Sequence, residues 1–156
     1  MALRMTKLAE VKPFAYGFGG NIEGTMADIG RTLGSKNIGL IIQTVPPGSA
    51  SSRRHRHLFQ EEILLVMAGA GVLCHGEERI AVGAGDCICY LPEDEEAHCF
   101  ENSGSAELVI WAFGNRFRHE IALYPDQEVA FVEGLGAEVP LAALSASEWT
   151  EEKRKR

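Results

Sequence analysis

The sequence predicts an all-β fold, a sandwich or barrel of antiparallel strands, and three observations carry that prediction. Short runs rich in β-branched and aromatic residues recur from Ile38 to Phe113, each bounded by Gly, Pro, Asp or Asn. No stretch in that interval reads as a long amphipathic helix, which disfavours alternating strands and helices. At the start of one run stand His55 and His57, two apart and so on one face of a strand, with His98 forty-one residues beyond the second. Three imidazoles and a nearby carboxylate make a metal shell.

In chain order, residues 1–35 form an N-terminal segment that fits no motif. Gly17-Phe18-Gly19-Gly20 is the one hint of a phosphate-binding turn, but no helix follows it, so a flexible turn is expected. Thr25 to Leu33 is compatible with helix or strand. Ile38 to Val45 is a β-rich run that Pro46-Pro47-Gly48 ends, since proline removes donors and sets a turn. Strands are then expected over Glu62 to Met67, Gly71 to His75, Arg79 to Val82, Asp86 to Leu91, Ala97 to Asn102 and Leu108 to Phe113. His75-Gly76-Glu77 and Gly83-Ala84-Gly85-Asp86 read as tight hairpin connections. The barrel is assigned to residues 36–126 and a partly flexible extension to residues 127–156, where Ser145-Ala146-Ser147-Glu148 matches a capping box that would start a short helix.

Composition narrows the function. The chain has 156 residues, enough for one domain with a self-sufficient core. Its net charge of −7 argues against a nucleic-acid partner, because phosphate binding draws on clustered Lys and Arg. The basic run Lys153-Arg154-Lys155-Arg156 follows three glutamates and reads as a solvated tail. Neither a signal peptide nor a bilayer-spanning run is apparent, so a cytoplasmic protein with no membrane partner is expected. Cys74, Cys87, Cys89 and Cys99 are then expected as reduced thiols packed like small apolar groups.

Two stretches carry a family pattern. Residues Gly48 to Gly69 hold a glycine, then His55-Arg56-His57, then Glu62, then Gly69; residues Gly85 to Asn102 hold Gly85, Pro92, His98 and Asn102. Together they resemble the two conserved motifs of the cupin superfamily, and with their spacer they cover about a third of the chain. The chain looks like a small single-domain bacterial cupin, and Tyr124-Pro125-Asp126 after Gly114-Asn115-Arg116 is similar to a segment found in one group of small cupins. The resemblance implies a jelly-roll barrel, also called a double-stranded β-helix, holding a divalent transition metal. By its motif the metal ligands are His55, His57, Glu62 and His98. Glu61 competes with Glu62, but six residues separate Glu62 from Gly69 as the motif asks, and Glu62 shares a strand face with Leu64 and Val66. Such ligands accept Fe, Mn, Ni, Zn or Cu and do not choose among them.

The surroundings are less constrained. The second motif normally has a glycine where this chain has Asp94, inside the acidic run Pro92 to Glu96, and Arg53 and Arg116 are candidates to offset that charge. Arg53, Tyr90, Phe100, Asn102 and Trp111 are candidate pocket residues, with core packing the competing role for the aromatic ones. His75 and His119 are expected at the surface. The leading expectation is a metal-dependent enzyme acting on a small organic molecule, a dioxygenase-type oxidoreductase in which the metal does the chemistry. Two alternatives stay open: a non-catalytic small-molecule binding or sensing module, and a non-redox isomerase or lyase. A homodimer is expected, with the N-terminal segment as its arm.

Overall fold

The computed structural model describes residues 3–92 and 94–144. The capping box at Ser145 to Glu148 and the basic tail lie outside the described residues. The strands are β1 (Phe14–Gly19), β2 (Ile22–Asp28), β3 (Ile38–Val45), β4 (Arg56–His57), β5 (Glu62–Ala68), β6 (Ala70–His75), β7 (Glu78–Gly83), β8 (Cys87–Tyr90), β9 (His98–Glu101), β10 (Leu108–Asn115), β11 (Ile121–Tyr124), β12 (Val129–Val132) and β13 (Ala137–Pro140). All named strand pairs are antiparallel. Each run expected between Ile38 and Phe113 is a strand, with ends that move by one or two residues. Thr25 to Leu33 divides: β2 runs to Asp28, whose carboxylate caps a single helical turn over Ile29–Thr32 by accepting from the Arg31 amide at 2.7 Å.

The strands form two layers. One is a six-stranded sheet in the order β1-β2-β3-β10-β5-β8. The other consists of a four-stranded sheet, β13-β12-β11-β4, and a three-stranded one, β7-β6-β9. His55 joins these last two, because its backbone exchanges two hydrogen bonds with that of His98, at 3.1 and 2.8 Å. Within the N-terminal segment, β1 and β2 are part of the large sheet: β1 pairs with β2 and β2 with β3, so both strands extend the barrel of their own chain.

Alternation along the strands puts the core between the layers. Leu64 and Val66 of β5, Leu108 and Ile110 of β10 and Val45 of β3 meet Leu73, Val82 and Phe100 of the opposing strands, with Tyr90 closing one end. Each such side chain contributes about 1.5–3 kcal/mol by leaving water. Trp111 and Phe113 occupy the alternate positions of β10 and point to the outside. There Ile42-Trp111-Leu65-Cys87 and Leu40-Phe113-Ile63-Cys89 form two cross-strand rows over four strands.

Two expectations change. Gly83 to Asp86 is not a hairpin turn, because β7 pairs with β6 and β8 with β5; the turn carries the chain from one layer to the other. The Asp86 carboxylate stabilises it by accepting from the Gly83 amide at 2.7 Å, a bond a hairpin would have placed in its ladder. Cys74 and Cys99 are buried as expected, whereas Cys87 and Cys89 are exposed. They lie on the outward face of an edge strand, which the described residues leave uncovered.

Gly69 turns β5 into β6 with φ +78°, and a Cβ there would collide with the Glu107 carbonyl oxygen. Gly48 has a similar φ, +80°, but open space around it. Denaturant melts should therefore separate the two: Gly48→Ala is expected to cost about 1 kcal/mol from the left-handed backbone alone, and Gly69→Ala at least roughly twice that. Equal losses would contradict the steric role of the Glu107 carbonyl.

Candidate metal centre

The two layers bring three of the four motif residues together. One ligand atom from each of His55, Glu62 and His98 lies within 4.8 Å of the others. His55 and His98 come from the strand ends that their backbones join, and Glu62 is the first residue of β5 in the opposite sheet. His98 Nε2 and Glu62 Oε2 are 3.3 Å apart. His57 stands beside this group without belonging to it, its ring centre 5.0 Å from that of His55 and 6.4 Å from that of His98. Glu61 is exposed on the other face of the strand, and the parity that favoured Glu62 is the parity observed.

Each ring is held by its surroundings. His55 Nδ1 faces the Arg53 carbonyl oxygen at 2.9 Å; as the donor to that acceptor it leaves Nε2 with its lone pair free. Tyr90 stacks on His98 at 3.7 Å between ring centres and 8° between planes, and its hydroxyl lies 3.3 Å from His75 Nδ1. His75, expected at the surface, is half-buried for this reason, while His119 is exposed. His57 Nδ1 lies 3.4 Å from Glu120 Oε1, too poorly aligned for a hydrogen bond.

Burial and mutual charge set the ionisation states that a cation needs. Burial, followed by the neighbouring His98 and His57, pushes the His55 pKa down to about 3, so its imidazole is neutral at physiological pH. Burial alone would raise Glu62, but the hydrogen bond with His98 and the electrostatic interaction with the neighbouring histidines outweigh it and hold the carboxyl below its ordinary value. A neutral imidazole and an ionised carboxylate, converging from three strands onto one point, fit a divalent transition metal.

The group opens into a cavity of about 210 Å³ whose wall includes Phe18, Met26, Ile41, Leu64, Phe100 and Ala112. A second cavity of about 350 Å³ shares Ile41, Glu62, Ala112 and Tyr124 with the first and adds His57, Glu120 and Arg116. Of the candidate pocket residues, Phe100 lines the first cavity and Tyr90 backs it through His98. Arg53 sits at its rim, 4.0 Å above the Tyr124 ring and paired with Glu138 at 2.5 Å. Asn102 is not in the wall: its amide donates to the Val45 and Ala106 carbonyls at 2.8 Å each and its oxygen accepts from the Gly104 amide, which satisfies the loop after β9. Trp111 faces outward. Arg116 is engaged by both carboxylate oxygens of Asp28, at 2.8 and 3.0 Å. Asp94, Glu95 and Glu96 line a separate cavity of about 610 Å³ behind Tyr90, so their charge is not at the metal cavity.

Sequence reasoning missed Glu120. It is 7% exposed and precedes β11 in no recognisable motif, so only the fold brings it to His57. Tyr124 was noted for its Tyr-Pro-Asp context alone, yet it forms a wall of both cavities.

Comparison with known proteins agrees with the fold. The family model of the cupin domain matches residues 41–113, which hold all four motif residues His55, His57, Glu62 and His98. Over those residues the chain carries a cupin domain. It is 34% identical over 68 residues, 44% of its length, to an oxalate-binding protein of Thermotoga maritima, and the match spans only 54% of that protein. Among solved structures, a putative sugar phosphate isomerase of Acidithiobacillus ferrooxidans superposes with a TM-score of 0.83 at 21% identity, covering 91% of this chain and 93% of that one. A sugar phosphate isomerase from a cupin superfamily of Silicibacter pomeroyi gives 0.81 at 23% identity, covering 92% and 97%. At these identities the likeness shows the fold, which is the antiparallel jelly-roll barrel expected.

The lowered His55 pKa makes a pH prediction for the metal-free protein. Between about pH 6.5 and about 3 the unfolded chain binds a proton at His55 that the folded one does not, so stability rises with pH across that window and is lost as pH falls through it. Urea melts at stepped pH should show a slope of up to roughly 1.4 kcal/mol per pH unit from this group, and His55→Asn should flatten it. Glu62 acts in the same direction. A profile unchanged by the substitution would show that His55 is not buried in the neutral form.

Proposed function

We propose that this chain is a metal-dependent enzyme that acts on a small organic molecule, with His55, His57, Glu62 and His98 holding the ion and an oxidoreductase of the dioxygenase type as its chemistry. The observation that carries the proposal is the pairing of a convergent His/Glu/His group with a mainly apolar cavity whose wall adds no further carboxylate or imidazole, Tyr124 and Cys99 being its other titratable side chains. A redox-active ion would supply activation of molecular oxygen toward a bound substrate. The protein supplies the rest. The apolar wall admits an uncharged oxygen molecule and excludes water, Tyr90 and the Arg53 carbonyl fix the imidazoles, and Arg53 with Tyr124 orients what enters. A lone buried acid near His57 offers less to an isomerase, which needs a base positioned at the substrate.

Metal analysis after reconstitution with Fe(II) without oxygen should find close to one ion per chain, abolished by Glu62→Gln and kept by Glu61→Gln. On admission of oxygen, a panel of enols, thiols and catechols should contain a compound that drives oxygen uptake, with label from ¹⁸O₂ in the product. Full metal loading with no uptake across the panel would overturn the oxidative chemistry and leave metal binding intact. The second function, capture of a small ligand without turnover, is favoured by the name of the Thermotoga maritima relative. Tight binding of oxalate to the loaded protein, with the ligand recovered unchanged, would identify it.

A homodimer is proposed as well. The two outward rows through Trp111 and Phe113 contain no charged residue; Ile63 within them is 40% exposed and Met67 beside them 44%. A second copy related by a twofold axis would bury this face against itself. Light scattering is expected to give twice the chain mass, and Ile63→Asp half of that; a monomeric wild type removes the idea.

A further inference from the structure

Glu120 is buried, and it is not committed to any structural ion pair. Its Oε1 accepts the Leu58 amide at 3.0 Å and its Oε2 has no hydrogen-bond partner. The nearest titratable group is His57 Nδ1, 3.4 Å from Oε1 and itself buried without a partner. The imidazole nitrogen is removed from water without a partner, and the carboxylate beside it keeps one oxygen unpaired; the two groups face each other at 3.4 Å but out of line for a hydrogen bond. A small turn of either side chain aligns them, and the buried imidazole nitrogen then no longer carries the cost of an unpaired polar atom.

We propose that Glu120 is the positioning residue of His57: it accepts the Nδ1 proton, fixes that tautomer, and leaves Nε2 as the nitrogen free to join His55, Glu62 and His98. This rests on the metal-binding proposal above. The dyad explains why His57 lies beside the three-residue group rather than in it. Its ring is hung from β4, the two-residue strand that pairs with β11, and the carboxylate immediately before β11 reaches back to hold it. An imidazole whose far nitrogen donates to a carboxylate is a better ligand and a better oriented one.

The test uses Co(II) and the full chain. Titration calorimetry and visible absorption are compared for wild type, Glu120→Gln, His57→Ala and the double variant. Glu120→Gln should weaken Co(II) binding by roughly 10–100-fold and alter the absorption bands. The double variant should bind no more weakly than His57→Ala, since Glu120 acts only through His57. Unchanged affinity and spectrum in Glu120→Gln, with a lower melting temperature of the metal-free protein, would overturn the proposal and leave Glu120 as an anchor for the Leu58 turn. Nitrogen NMR of the metal-free wild type needs no variant: His57 should carry its proton on Nδ1, and a proton on Nε2 would overturn the proposal equally. Wild type that binds no Co(II) would instead sink the metal-binding proposal itself.

Discussion

Two backbone hydrogen bonds between His55 and His98 hold the second layer together. Without them the three-stranded and four-stranded sheets would be separate pieces facing one large sheet. With them the layer is continuous, and the strand ends that meet are those whose side chains point inward. The site is therefore a by-product of sheet closure: aligning the backbones places the imidazoles. Glu62 enters from the opposite layer, so the group spans the core instead of decorating one wall.

That placement has an electrostatic side. Several ionisable groups share a space that alternation has otherwise filled with Leu64, Phe100 and Ala112. Removing such groups from water is costly unless they pair or hold a cation. Here part of that cost is met by hydrogen bonds, from His55 Nδ1 to the Arg53 carbonyl and between His98 and Glu62. Part is not met: His57 Nδ1, His98 Nδ1 and Glu120 Oε2 remain without partners. A core that tolerates this is organised for binding as well as for stability.

Most of the barrel was legible because its strands are short, alternate cleanly and end at Gly, Pro or Asp. Glu62 could be separated from Glu61 by parity, a local property that the fold does not alter. What could not be read were relations between distant segments. Nothing at Gly83 to Asp86 says that the chain changes layer there. Asn102 looks from its parity like a pocket residue, yet the loop that follows and the end of β3 claim its side-chain hydrogen bonds. Trp111 was a candidate wall by its chemistry, and the sheet turns it outward because Ile110 and Ala112 take the inner face. Residues 1–35 carry no motif at all and still supply two strands, since pairing along an existing edge asks little of the side chains.

The rim of the cavity depends on a contact far from either motif. Arg53 lies over the Tyr124 ring because Glu138, on β13, draws its guanidinium across. Both Tyr124 and Glu138 fall after residue 113, where the match to the shared cupin domain ends. The matched domain thus brings His55, Glu62 and His98 together, and the strands that follow it shape the rim above them. Two chains could agree at every residue of that group and differ at its opening, so the entrance in this architecture can diverge while the group beneath it stays the same.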